Sequence, residues 1–312
     1  MTSPKHFIAT DDLNADEVVR LLDFADDLKR ERDAKSVARR DDLAGQTVAM
    51  IFEKPSTRTR VSFQVAVSEL GGHPLPLSSA ELQLGRGETI ADTGAVLSRY
   101  VHAIVVRTFA QQRLVDLAST SSVPVVNALS DDEHPCQALA DLQTFRQVHG
   151  TFEGKSLTYV GDGNNVAHSL LVAGAMVGLS IRIAHPDGYA PDPQFVAKAR
   201  QYAATSGAEI VVTSDPITAV EGSHAVYTDV WASMGQEDEH DARVAAFEGF
   251  QVDETLMRHA DPSAVFMHCL PAHRGEEVSG EVMDGPASRV FDQAENRLHA
   301  QKALLATLMS GR

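Results

Sequence analysis

Short apolar runs recur along this chain with turn residues behind them, and this alternation constrains the fold more than any other feature. They span Val48 to Phe52, Ala103 to Val106, Val123 to Leu129, Leu157 to Val160, Ile181 to Ala184, Glu209 to Val212, Ala225 to Thr228 and Ala264 to His268. Runs this short and continuous read as strands buried on both faces of a parallel sheet. Helical periodicity fills the intervals, over Val61 to Leu70, Glu88 to Tyr100, Gln137 to Val148, Ala167 to Val177 and Pro193 to Thr205. Strand and helix in alternation predict an α/β protein with two doubly wound domains, each a mainly parallel sheet flanked by helices.

The second domain follows from length. At 312 residues the chain is about twice a typical single domain. Gly150-Thr151-Phe152-Glu153-Gly154 breaks the periodicity just before a fresh strand, which sets the expected domains at 1–150 and 151–290. The final amphipathic stretch, Gln293 to Met309 within a helix expected over about 291–312, is expected to pack back on the first domain. The charge run from Asp23 to Arg40 reads as a solvated helix face.

A net charge of -16 argues against general affinity for nucleic acid or anionic membrane, because both require a basic face. Any anionic ligand must therefore be held locally. The two cysteines, Cys136 and Cys269, the lack of a secretory signal pattern and the absence of an apolar run near ~20 residues predict a soluble, cytoplasmic protein.

The segment Phe52-Glu53-Lys54-Pro55-Ser56-Thr57-Arg58-Thr59-Arg60 lies between a strand and a helix, with Ser56 and Thr57 as possible N-caps. A helix N-terminus carries partial positive charge and unpaired N–H groups. Two arginines in its first turn are unfavourable there unless an anion joins them. The competing reading is an ordinary Ser-capped helix with surface arginines. Arg107 ends another strand, at the carboxyl edge where open α/β sheets place ligand groups. His134-Pro135-Cys136-Gln137 opens a further helix, with proline at the favoured first position. His134 near a positive dipole end should be neutral and able to donate one hydrogen bond to a carbonyl oxygen, or it serves only as a cap.

In the second half, Gly161-Asp162-Gly163-Asn164-Asn165-Val166 begins like a dinucleotide fingerprint, but Val166 occupies the third glycine position. A nicotinamide cofactor is therefore not expected. Asn165 offers an amide to a polar ligand or is a turn residue. Asp229, in Asp229-Val230-Trp231, and Ser233, in Ser233-Met234-Gly235, suit the ammonium and polar groups of a zwitterionic amino acid. With Cys269 of His268-Cys269-Leu270-Pro271, Asn165 and Asp229 all fall at strand carboxyl ends. The spacing lacks a second Cys-x-x-Cys or a His-x-x-x-His partner, so no metal site is expected.

Together these segments resemble the aspartate and ornithine carbamoyltransferase family nearly end to end, from Phe52-Glu53-Lys54-Pro55 to Glu295-Asn296-Arg297-Leu298. Ser-Thr-Arg-Thr-Arg with His-Pro-Cys-Gln is the most specific combination. The Asp229-Val230-Trp231, Ser233-Met234-Gly235 and His268-Cys269-Leu270-Pro271 segments look like the ornithine branch. The resemblance implies transfer of the carbamoyl group of carbamoyl phosphate to L-ornithine, giving citrulline and phosphate in arginine biosynthesis, with no cofactor. It implies that Ser56, Thr57, Arg58 and Thr59 bind phosphate while Arg107, His134 and Gln137 hold the carbamoyl end. Pro135, Cys136, Cys269, Leu270 and Arg297 complete that set. Asn165, Asp229, Ser233 and Met234 match ornithine-binding positions, and Arg58, Arg107, His134, Asp229 and Cys269 carry the catalytic expectation. Family members are homotrimers with shared active sites, and Gln83 occupies the loop a neighbouring subunit lends. The rival readings are a carbamoyltransferase for putrescine or N-acetylornithine, a Rossmann-type oxidoreductase, and an inactive partner protein.

Overall fold

The computed structural model describes residues 6–34, 40–78, 87–232 and 239–310. The chain divides into two compact units, one of residues 1–143 with 295–312 and the other of residues 144–294.

In the first unit, α1 (Ala15–Asp33) precedes β1 (Thr47–Phe52), α2 (Thr57–Glu69), β2 (His73–Ser78), α3 (Ile90–Leu97), β3 (Ala103–Arg107), α4 (Gln111–Thr120), β4 (Val125–Leu129) and the start of α5 (Pro135–His149), whose last residues, from Thr144, belong to the second unit. The strands form one parallel sheet in the order β2-β1-β3-β4. Ala49, Ile51, Ile104 and Val106 pack with Leu114 and Leu117 of α4 on one face. Val48, Met50, Ala103 and Val105 are also fully buried, which explains why β1 and β3 are apolar without alternation.

Strand β2 is absent from the sequence-based expectations because Pro74 and Pro76 interrupt it. Its position resolves the conflict, since it lies at the sheet edge and pairs only with β1. The His73 N–H donates to the Gln46 carbonyl at 2.8 Å. Alternate residues therefore aim their N–H groups at β1, and the prolines, which have none, fall on the open side.

The second unit contains β5 (Ser156–Val160), α6 (Asn165–Val177), β6 (Ser180–Ala184), α7 (Pro193–Ser206), β7 (Ile210–Thr213), α8 (Pro216–Val220), β8 (Ala225–Thr228), α9 (His240–Ala246), α10 (Glu254–Met257), β9 (Val265–His268) and α11 (Gly280–Met283). Its parallel sheet has the order β7-β6-β5-β8-β9. Helix α6 is buried from Val166 to Met176, which accounts for its nearly unbroken apolar sequence. The doubly wound α/β expectation holds for both units.

The last helix, α12 (Val290–Ser310), joins the first unit from Glu295 onward. Lys302 Nζ reaches Glu69 of α2 at 2.8 Å, and Lys29 of α1 donates to Asn296 at 2.8 Å. The expected return of the C-terminal helix to the first domain is observed. No helix among the described residues is long and apolar enough to cross a membrane.

Candidate active site

In the first unit the strand order reverses between β1 and β3, the switch point at which open α/β sheets place ligands. Phe52 and Arg107 are register partners at the carboxyl ends of those two strands. Helix α2 follows β1 with Ser56 at its N-cap. The Ser56 side chain makes no capping bond, and no acidic residue stands in the first turn. Exposed Arg58 and Arg60 therefore sit at a positive dipole end without a protein anion there. Thr59 is turned inward, buried to 1% exposure, and accepts a hydrogen bond from Arg297 Nη2.

Arg297 also donates from Nη1 to Gln137 Oε1 at 3.0 Å, and Gln137 Nε2 donates to Asp141 at 2.8 Å. Thus α12 supplies a buried guanidinium whose orientation α2 and α5 fix, and this fixes which end of the Gln137 amide faces Arg297. The register shift between Val106 and Arg107 leaves Ala128 of the neighbouring β4 as an extra residue, a bulge beside the end of β3. Within the same motif, Glu53 binds Arg113 and Thr108, and Lys54 binds Asp131 at 2.5 Å. These two charges brace the strand ends, a structural role the sequence does not announce.

His134 is buried, and its imidazole is held well below the ordinary histidine range, first by burial and then by the charges of Arg297 and Arg107. The direction is that expected from the sequence, and desolvation is its leading cause. Cys136 donates its thiol to the Asn127 carbonyl at 3.3 Å, and burial pushes it up to about 12. It is a thiol in the core, so any ligand contact here falls to backbone in the first turn of α5, which Pro135 opens.

The second unit repeats the switch point between β5 and β8. Asn164 caps α6, its Oδ1 accepting from Val166 at 2.9 Å and Ala167 at 3.2 Å, while its Nδ2 donates to Asp229 Oδ2 at 3.0 Å. Asn165 is the first residue of that helix. Asp229 is buried, and its Oδ1 accepts from Cys269 Sγ at 2.9 Å and from the Val230 N–H at 2.8 Å. One carboxylate therefore ties the ends of three strands together. Behind it, burial and the charges of Asp229 and Asp162 push the Tyr159 phenol up, keeping it neutral.

The glycine pair here has a packing reason. A Cβ on Gly163 would lie 2.1 Å from Pro191 N and 2.4 Å from the Ala190 carbonyl carbon. The second glycine admits neighbouring backbone. Asp162 receives Arg243 Nη1 at 2.8 Å, and the same guanidinium donates to the Trp231 carbonyl at 2.9 Å.

At the end of β9, Leu270 has φ of 60°, a left-handed conformation that costs a branched residue ~1–3 kcal/mol. Its N–H donates to His268 Nδ1 at 2.8 Å, and His268 Nε2 faces Glu277 Oε1 at 3.2 Å. His268 therefore carries its proton on Nε2. Asp229, His268 and Cys269 have the composition of a metal site; here the Leu270 N–H and Glu277 occupy the two His268 nitrogens, and the Cys269 thiol donates to Asp229. Asn164 and Arg243 were not singled out from the sequence, because Asp229 and Asp162, which they meet, lie far away along the chain; Glu277 was not singled out either. Gln83, Ser233 and Met234 lie outside the described residues.

The carbamoyl-P binding domain model of the aspartate/ornithine carbamoyltransferase family matches residues 5–147, and its Asp/Orn binding domain model matches 153–308. The chain belongs to the aspartate/ornithine carbamoyltransferase family. This carbamoyltransferase is 58% identical to an ornithine carbamoyltransferase of Parafrankia sp., over 98% of this chain and 96% of that one. The solved ornithine carbamoyltransferase of Pyrococcus furiosus is similar with a TM-score of 0.96 and 51% identity, covering 100% of this chain and 99% of that one. An anabolic ornithine carbamoyltransferase from Campylobacter jejuni is similar with a TM-score of 0.92 and 39% identity, covering 99% of this chain and 100% of that one.

Proposed function

We propose that this carbamoyltransferase converts carbamoyl phosphate and L-ornithine to L-citrulline and phosphate, as a step of arginine biosynthesis in the cytoplasm. The observation that carries the reading is end-to-end similarity to ornithine carbamoyltransferases. The Asp229–Cys269–Asn164 arrangement in the second unit supports it. The carbamoyl phosphate domain is residues 1–150 with the helix from about 291, and the ornithine domain is residues 151–290.

Carbamoyl phosphate is a mixed anhydride and already activated, so catalysis consists chiefly of alignment and stabilisation of the oxyanion formed on attack. Ser56, Thr57, Arg58 and Thr59 take the phosphate. Arg107, neutral His134 and Gln137 take the carbamoyl group, with Pro135, Cys136, Leu270 and Arg297 completing the set. Arg297, fixed between Thr59 and Gln137, supplies a charge that does not have to reorganise as the oxyanion develops.

The ornithine side-chain ammonium resembles that of lysine and loses its proton near about 10.4 in water, so deprotonation contributes to the barrier. Asn165, Asp229, Ser233 and Met234 hold the amino acid. Cys269 and Asp229 orient the amine, whose nitrogen forms the new bond to the carbamoyl carbon. The bond to phosphate breaks, and the departing phosphate accepts a proton. The active enzyme is a homotrimer in which Gln83 serves a neighbouring subunit's site.

Citrulline and phosphate are measured with ornithine, putrescine, N-acetylornithine and aspartate as parallel acceptors. Equal release of citrulline and phosphate with ornithine alone is expected. Preference for another amine would keep the anion site and overturn the ornithine assignment.

A further inference from the structure

Outside the residues assigned above, the second unit gathers His240, His273, Glu276 and Glu277. The ligand atoms of His273, Glu276 and Glu277 all lie within 4.8 Å of one another. His273 Nδ1 is 3.8 Å from Glu276 Oε2 and 3.8 Å from Glu277 Oε2, and His240 Nε2 is 3.2 Å from Glu276 Oε2. In a tetrahedron with metal–ligand bonds of about 2.0–2.1 Å, neighbouring ligand atoms stand about 3.3–3.4 Å apart. The two His273–carboxylate separations of 3.8 Å exceed that spacing by about 0.4–0.5 Å, which a small closure of the side chains removes.

The second observation concerns Glu277. Its side chain is fully buried, and Oε1 is saturated by the His273 N–H at 2.5 Å and His268 Nε2 at 3.2 Å. Oε2 is buried and accepts no hydrogen bond among the described residues, yet it is directed at His273. A buried carboxylate oxygen without a donor is costly unless a cation completes it. His273 Nδ1 at 3.8 Å is beyond hydrogen-bond length. The hydrogen bonds at Oε1 fix the carboxylate as outer partners fix ligands in built metal sites.

We propose that His273, Glu276 and Glu277 bind a divalent first-row transition ion, zinc being the best match to one imidazole and two carboxylates with an open fourth position. Glu277 forms the inner side of the site, and His273 and Glu276 close it from the solvent side. Loading neutralises the buried Glu277. The inference does not depend on which amine the enzyme carbamoylates.

The test uses the full chain, stripped with a chelator and titrated with Zn²⁺ by calorimetry and with Co²⁺ by visible absorbance. One equivalent should bind, with d–d bands and no thiolate charge-transfer band. His273→Ala and Glu276→Gln should each weaken Zn²⁺ by at least ~10-fold, while Cys269→Ala leaves it unchanged. Both replaced side chains are partly exposed, so these variants retain the fold. Failure to bind Zn²⁺ below ~100 µM, or binding that survives both substitutions, would overturn the proposal. So would a thiolate band that disappears in Cys269→Ala, which places the ion at Asp229, His268 and Cys269 instead.

Discussion

The two units use the same architectural position and fill it with opposite chemistry. In the first, the switch point between β1 and β3 gathers Arg58, Arg107 and Arg297 around the uncapped start of α2 and a neutral His134. In the second, the switch point between β5 and β8 gathers the Asp229 carboxylate with a thiol and an amide that both donate to it. A parallel sheet supplies the place, and the sign of the side chains there selects the ligand. A chain of net charge -16 nonetheless places these three guanidinium groups in one unit.

The largest effect should come from removing the carboxylate of the second unit. Asp229→Asn replaces an acceptor oxygen by a donor facing Asn164 or Cys269, and it loses the charge-assisted bonds. It is expected to lower kcat/KM for ornithine by about 10³-fold, read in steady-state citrulline assays. An equal rise in KM for carbamoyl phosphate would break the division between units.

Arg58→Ala comes next, with kcat at saturating carbamoyl phosphate reduced at least ~10²-fold, the scale of one lost oxyanion donor. Retention of wild-type turnover would reduce Arg58 to a surface charge.

A smaller effect tests why the second unit's loop is glycine-rich. Gly163→Ala is expected to cost about 1–3 kcal/mol in denaturant unfolding, because its Cβ meets the backbone of Pro191 and Ala190. An unchanged midpoint would return Gly163 to the role of a ligand-cradling glycine.

The smallest effect concerns acid. His134 and His299 are buried in the first unit, His134 held well below the ordinary range and His299 lowered to about 4, burial being the leading cause in both. The unfolded chain protonates them near about 6.5 while the folded unit does not, so stability present above that pH is lost as pH falls toward about 4. Their counterparts in the second unit, His149 and His224, are lowered as well but are partly exposed. Denaturation at pH 7 and pH 5 should show His299→Gln losing less stability than the parent. Parallel losses would show that His299 is not protonated on unfolding.

The order of elements was legible because buried parallel strands need unbroken apolar runs, as in Ala103 to Val106. Strand β2 was not, since two prolines suit only an edge whose location the sequence does not give. The anion motif was legible through charge at a helix start. The inward turn of Thr59 onto Arg297 was not, because α12 arrives from the far end of the chain. Likewise Asn165 stood out as a strand-end amide, while Asn164, one residue earlier, donates a hydrogen bond to Asp229. Periodicity reports which elements form, whereas contacts between distant elements decide which side chain meets which.

The most direct test of the division between units is equilibrium binding of carbamoyl phosphate without ornithine to the parent, Arg58→Ala and Asp229→Asn proteins. The account predicts that Arg58→Ala weakens binding by at least ~10-fold and that Asp229→Asn binds like the parent. Equal weakening by both substitutions, or by Asp229→Asn alone, would contradict it.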